Sequence, residues 1–135
     1  MKERPKDEAA RWLDSATNDL ESAEWDLQGK FYNYACFKSQ QSGEKALKAY
    51  LYSKGLRRLA GHSAYNLLQQ CMQIDPSFEA LREDCTELDL HYLPSRYPNS
   101  LPGGVPHLFY TKKRAEEVIA CARRVIEKVK RSIPE

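Results

Sequence analysis

Several features are scarce in this sequence, and each scarcity removes a class of answer. No stretch of 18 or more apolar residues occurs, so no membrane-spanning helix is expected. The net charge is only +2, too small to argue for nucleic-acid binding by itself. Glycine occurs six times in 135 residues. Gly103-Gly104 is not followed by Lys-Ser or Lys-Thr, so it reads as a turn and not as a phosphate loop. No Gly-x-Ser-x-Gly elbow and no His-Glu-x-x-His pair is present, which leaves nucleophilic and zinc-hydrolase chemistry without support. The four cysteines, Cys36, Cys71, Cys85 and Cys121, form no Cys-x-x-Cys pair, so no metal site and no cofactor is expected. Each lies in or beside an apolar helical pattern, as a buried free thiol of a cytosolic protein would. The N-terminal residues lead into an acidic amphipathic stretch with no secretory signal, and a cytoplasmic location is expected.

What is present is helical periodicity. In Asp7 to Gln28, residues Ala9, Trp12, Leu13, Ala16, Leu20, Ala23 and Leu27 share one face, and Gly29 is a plausible stop. Trp25 points away from that stripe, either to a second surface such as a dimer contact or to solvent. Phe31 to Lys54 form a second helix with two packing faces, ended by Gly55. Cys36, Gly43, Leu47 and Tyr50 line one face. The small residues Ala35, Ser39, Ser42, Ala46 and Ala49 line the other, which places this helix centrally in a bundle. Polar residues of Gln40 to Lys48 occupy its remaining side. A connector, Gly55 to Gly61, leads to Ser63 as N-cap of a third helix ending near Ile74. Asp75-Pro76 breaks it. A fourth helix starts near Ser77 and carries Phe78, Leu81, Cys85, Leu88 and Tyr92. Thr111 caps a last helix, Lys112 to Ser132, whose Ala115, Val118, Ile119, Ala122, Val125, Ile126 and Val129 give the cleanest amphipathic pattern.

These elements predict a single all-α domain over residues 1–135, an antiparallel bundle of about five helices, two of them short. Between the fourth and last helices lies Leu93 to Lys112, which holds four of the chain's seven prolines. Their four-residue spacing forbids a helix. A loop this long is usually functional or disordered. Arg96, Tyr97, Phe109 and Tyr110 favour an ordered functional loop.

The ordered set of Trp12, Ala16, Asp19-Leu20 and Ala23, then Tyr34 to Ala49, then His62-Ser63 with Leu67-Leu68, then Arg96-Tyr97-Pro98-Asn99, then Tyr110 and Ala115, resembles the HEPN domain (higher eukaryotes and prokaryotes nucleotide-binding). The resemblance covers roughly residues 8–132, and the Arg-Tyr-Pro loop is similar to the branch that ends the chaperone-like protein sacsin. It implies a helical bundle that forms a homodimer, in prokaryotes beside a small nucleotidyltransferase partner and often as a toxin–antitoxin pair. It further implies nucleotide binding or, in many members, metal-independent RNA cleavage by an Arg followed a few residues later by a His. Here ten residues separate Arg96 from the next histidine, His107, which departs from that spacing.

The residue chemistry leaves three readings open. A nucleotide or RNA phosphate would find a planar donor fork in Arg96, a further polar group in Asn99, an aromatic plate in Tyr97 or Tyr110, and positive field from Lys112 and Lys113 at a helix N-terminus. Alternatively Arg96 pairs with an acid such as Asp89 and only packs the loop. Cleavage would need a histidine as acid or base beside the arginine, with His107 the first candidate and His62 and His91 behind it. A dimerisation module without ligand is the third.

Overall fold

The computed structural model describes residues 4–134. The first three residues and Glu135, which the single-domain expectation included, lie outside the described residues. Five α-helices follow one another: α1 (Pro5–Gln28), α2 (Tyr32–Ser53), α3 (Ala64–Ile74), α4 (Arg82–Asp89) and α5 (Lys112–Ser132). Short 3-10 turns lie at Pro76–Leu81, Pro98–Ser100 and Pro106–Leu108. No strand occurs among the described residues. The all-α bundle expected from the periodicity is what forms, with α3 and α4 as its short helices.

The caps are local and legible. The Ser63 hydroxyl accepts the amide of Asn66 at 3.0 Å and Thr111 accepts that of Arg114 at 3.1 Å, each satisfying a donor that the first helical turn leaves open. The first helix ends at Gln28 with Gly29 as its C-cap, as expected, although Gly29 has φ −79° and the left-handed residue is Lys30 at φ 66°. The fourth helix differs from expectation. Pro76 starts a 3-10 turn, capped by Asp75 accepting the amide of Ser77 at 3.0 Å, and the α-helix begins only at Arg82. It ends at Asp89, before Tyr92.

α2 is the spine. It packs against α1, α3, α4 and α5, and its small-residue stripe is buried throughout. Against α1 the register is antiparallel and regular. Trp12 stacks on Tyr52 with centroids 5.5 Å apart, Asp19 meets Lys45 at 2.8 Å, and Asp26 meets Lys38 at 2.8 Å. Each contact lies two helical turns from the last on both helices. Between them the Ser42 hydroxyl donates to the Ala16 carbonyl at 2.7 Å. On the opposite flank, a Cβ on Gly43 would lie 2.6 Å from Leu88 Cδ1, so glycine is what lets α4 approach.

The polar residues on the remaining side of α2 are covered. Gln40, Glu44 and Lys48 are buried because the connector folds over them. Gln40 Nε2 donates to the His62 carbonyl at 2.8 Å, and Lys48 Nζ to the Gly61 carbonyl at 3.2 Å. Lys48 also meets Glu44 at 3.1 Å, so the buried charges compensate each other.

Gly43→Ala sets an overpacking penalty of about 1–3 kcal/mol against roughly 1 kcal/mol of helix propensity gained. Because Leu88 is fully buried and has little room to yield, the overpacking wins. The expected outcome is a net loss of about 1 kcal/mol, a drop of roughly 4 °C in Tm. Leu88→Ala should cost less in the Gly43→Ala background than alone, which a double-mutant cycle from denaturant unfolding measures. Unchanged or raised stability in Gly43→Ala would refute the close approach.

Candidate functional site

The loop after α4 begins with one helical turn. The amides of Arg96 and Tyr97 both bond to the Leu93 carbonyl, at 3.0 and 3.1 Å, and Pro98 prevents a further turn. That turn folds Arg96 back over Tyr92, one turn earlier. Arg96 Nε and Nη2 donate to the Tyr92 carbonyl at 3.0 and 2.9 Å. The guanidinium carbon lies 4.0 Å from the ring centre of Phe37, 4.8 Å from Tyr92 and 4.9 Å from Tyr97. Nη1 has a long contact of 3.4 Å to the Tyr97 hydroxyl. Guanidinium has five N–H donors. These contacts leave one on each terminal nitrogen, donors that a phosphate or carboxylate accepts. The cage is tied to the spine by Asn33, whose amide donates to the Ser95 carbonyl at 3.0 Å.

Arg96 opens onto a groove of about 400 Å³ lined also by Lys30, Asn33, Tyr34 and His107. His107 therefore shares a concavity with Arg96, although ten residues separate them. The intervening chain makes two 3-10 turns and a reversal at Gly104, whose φ is 71° and whose missing Cβ leaves room for the Phe109 ring. The other sequence candidates are dispersed. Tyr97 is 47% exposed against the guanidinium. Asn99 is exposed on the Pro98–Ser100 turn, and Lys112 and Lys113 are exposed on the first turn of α5, outside the residues lining this groove. Tyr110 is not a surface plate. It is 6% exposed, and its hydroxyl lies 2.9 Å from His91 Nδ1. Burial raises that phenol to a pKa of about 12, so it stays protonated and donates to the ring nitrogen.

Asp89 is not the partner of Arg96. It accepts from the Ser63 hydroxyl at 2.8 Å and from the amides of Ala64 and Tyr65 at 2.8 and 3.0 Å, capping α3 from a distant segment. Sequence reasoning also missed Phe37, Tyr92 and Glu44. The spacing of Tyr92 and Arg96, one helical turn, was the available signal. His62 stacks on Tyr92, centroids 5.2 Å apart and planes 15° apart, and its Nδ1 lies 3.4 Å from Glu44 Oε1. Imidazole, phenol and guanidinium thus form one array beside the groove. The thiols have no part in it, because desolvation holds Cys36, Cys71 and Cys121 at about 12 and raises Cys85 as well. Among the described residues no helix is long and apolar enough to cross a membrane.

The sequence matches the HEPN domain family model over residues 9–132. Over 130 residues it is 32% identical to "Putative toxin MJ1304" of Methanocaldococcus jannaschii, covering 90% of this chain and 86% of that one. The fold is similar to that of TT1696 from Thermus thermophilus, with TM-score 0.87, 34% identity and coverage of 92% and 97% of the two chains. It is also similar to ST0689, described as an archaeal HEPN homologue, with TM-score 0.79, 37% identity and coverage of 99% and 100%.

His91 carries the pH dependence of this region. It is buried, with Nε2 2.7 Å from Glu87 and Nδ1 facing the Tyr110 hydroxyl. Desolvation lowers its pKa below the ordinary value, and the nearby Glu87 only partly offsets this. A histidine with a depressed folded-state pKa contributes stability that is complete above its unfolded pKa, near 6.5, and is lost as pH falls through the folded value. Unfolding free energy should therefore decline from pH 7 to 5.5, and His91→Gln should flatten that segment. Denaturant melts at stepped pH measure it, and an unchanged slope in His91→Gln would refute the assignment.

Proposed function

Because this chain belongs to the HEPN domain family, we propose that its Arg96 groove binds the phosphate of a nucleotide or an RNA strand. The protein acts as a cytoplasmic homodimer in a toxin–antitoxin-like pair with a nucleotidyltransferase partner. The observation that carries the binding reading is the state of Arg96. Its guanidinium is held flat among three rings, bonded along one edge to the Tyr92 carbonyl, with one N–H on each terminal nitrogen left uncommitted. A fixed fork loses little freedom when an anion docks. Lys30 adds charge to the same groove, and the exposed rings of Tyr34 and Tyr97 offer faces for a base. The resemblance to a protein named as a toxin supports the paired-system part of the reading.

A second reading, RNA cleavage, is favoured by His107 sharing the groove with Arg96. The His107 imidazole would take the proton of a ribose 2′-hydroxyl as its oxygen bonds to phosphorus, the guanidinium would stabilise the negative charge on the phosphoryl oxygens, and the P–O5′ bond would break with the leaving oxygen taking a proton back from the imidazolium or from water.

Titration of the purified protein with ATP, GTP and short RNA in moderate salt tests the first reading. Binding at sub-millimolar concentration is expected, and Arg96→Lys should weaken it at least about tenfold, because an ammonium keeps the charge but loses the fork. No binding of any of the three overturns the reading, and a monomeric mass by sedimentation overturns the dimer. Expression without the partner separates the second reading. Growth arrest relieved by both Arg96→Ala and His107→Ala supports cleavage. Absence of arrest, together with intact RNA after incubation with the purified protein, excludes it.

A further inference from the structure

We infer that His62 is a modification site, its Nε2 a nucleophile that accepts a phosphoryl group from an acyl phosphate. The inference does not depend on the phosphate-binding reading of Arg96. It starts from a buried oxygen. Glu44 Oε1 is buried and takes no hydrogen bond, a rare state for a carboxylate inside a protein. The group that faces it is His62 Nδ1, at 3.4 Å. The Glu44 side chain is 4% exposed and that of His62 is 61% exposed. A buried carboxylate thus addresses one ring nitrogen of an imidazole that is otherwise open to solvent. The other ring nitrogen, Nε2, has no partner among the described residues.

Both members of the pair are held. Lys48 Nζ meets the other oxygen of Glu44 at 3.1 Å and donates to the Gly61 carbonyl, one residue before His62, at 3.2 Å. The His62 carbonyl accepts from Gln40 Nε2 at 2.8 Å. The imidazole lies on the Tyr92 ring with the planes 15° apart. Main chain and ring plane are therefore both set, and a small rotation of the ring aligns Nδ1–H with Oε1. The carboxylate repels the tautomer that would turn a lone pair toward it. The proton accordingly sits on Nδ1 and the lone pair on Nε2. An acceptor behind Nδ1–H raises the basicity of the opposite nitrogen, which is how an orienting carboxylate activates an imidazole.

The other nucleophiles lack this combination. His91 is buried, and both its ring nitrogens are engaged, by Tyr110 and Glu87. His107 is exposed, but no carboxylate pairs with it among the described residues. The four thiols are buried, and desolvation holds them in the protonated, unreactive form. In the transfer, the Nε2 lone pair forms a bond to phosphorus as the bond from phosphorus to the donor's acyl oxygen breaks. The bonding pair leaves on the released carboxylate. The positive charge that develops on the ring is met by Glu44 through the Nδ1 proton. Arg96, whose guanidinium carbon lies 4.8 Å from the centre of the same Tyr92 ring, supplies positive field for the phosphoryl oxygens. A metal ion is a poorer occupant, because no group of three or more His, Cys, Asp or Glu able to hold one occurs among the described residues.

Incubation of the purified chain with acetyl phosphate, followed by intact mass and peptide mapping at alkaline pH, tests the site. A single phosphoryl group is expected on the peptide that contains His62, stable to alkali and lost in mild acid, as a phosphorus–nitrogen bond is. His62→Gln should abolish it, and Glu44→Gln should slow its formation at least about tenfold. Because Glu44 is buried against Lys48, Glu44→Gln is compared only if its circular dichroism is native. Carbethoxylation of the unmodified chain by diethyl pyrocarbonate gives a second readout that needs no variant. His62 should react at least about tenfold faster than His107, although both are exposed. No adduct from acetyl phosphate, an adduct that survives His62→Gln, an unchanged rate in folded Glu44→Gln, or a carbethoxylation rate at His62 no higher than at His107 overturns the assignment.

Discussion

The carboxylate of Asp89 sets the geometry on which the candidate site depends. It sits at the last residue of α4 and takes the first two amides of α3 together with the Ser63 hydroxyl. A negative charge at a helix N-terminus satisfies open donors and complements the dipole. Here it also clamps two chain segments. Two residues before α3 stands His62, and three residues beyond Asp89 stands Tyr92. Holding those segments together stacks imidazole on phenol, and the turn that follows lays Arg96 against Tyr92 and Phe37. One acid outside the groove's lining thus helps to place its guanidinium.

The spine makes the same point about packing. A central helix normally buries apolar residues on every side, yet α2 buries Ser39, Gln40, Ser42, Glu44 and Lys48. Each has a partner within reach, although Glu44 Oε1 makes no hydrogen bond. Ser39 bonds back to the Ala35 carbonyl, Ser42 bonds to α1, Gln40 and Lys48 bond to the connector, and Glu44 meets Lys48. Unanswered, such groups would cost several kcal/mol apiece. Answered, they specify which backbone must lie where. The connector is held in place by the backbone carbonyls of Gly61 and His62 and by Leu56 and Leu59 packed against the core.

This explains which parts of the molecule were legible in the sequence. Helices α1, α2, α3 and α5 follow from periodicity and from caps such as Ser63 and Thr111, which are local properties. The start of α4 was misread because Pro76 permits either a 3-10 or an α turn, and the apolar spacing of Phe78 and Leu81 suits both. Arg96 stood out because it interrupts a run of prolines. Its surroundings did not, because Phe37 lies far away in sequence and looks like one more residue of an amphipathic helix. The burial of Tyr110 was equally hidden, since an aromatic ring beside a helix cap can turn either way. His91, which holds it inward, carries no sequence mark of its own. Long-range pairing decides these cases, and a single sequence does not encode it in any local pattern.

The cage around Arg96 also bears on how a chain with so small a net charge could hold an anion. A mobile surface arginine loses rotamer freedom and water when it grips a phosphate, and both losses subtract from affinity. Arg96 has already surrendered part of both. Stacking on Phe37 removes water from its faces, and the bond to the Tyr92 carbonyl fixes its rotation. What remains exposed is the donor edge, in a concavity where the field of Lys30 is less screened than on open surface. Recognition in such a groove depends on a few fixed donors and not on a broad positive field. The fold therefore needs no basic face, and the modest charge of the whole chain is consistent with a site of this kind.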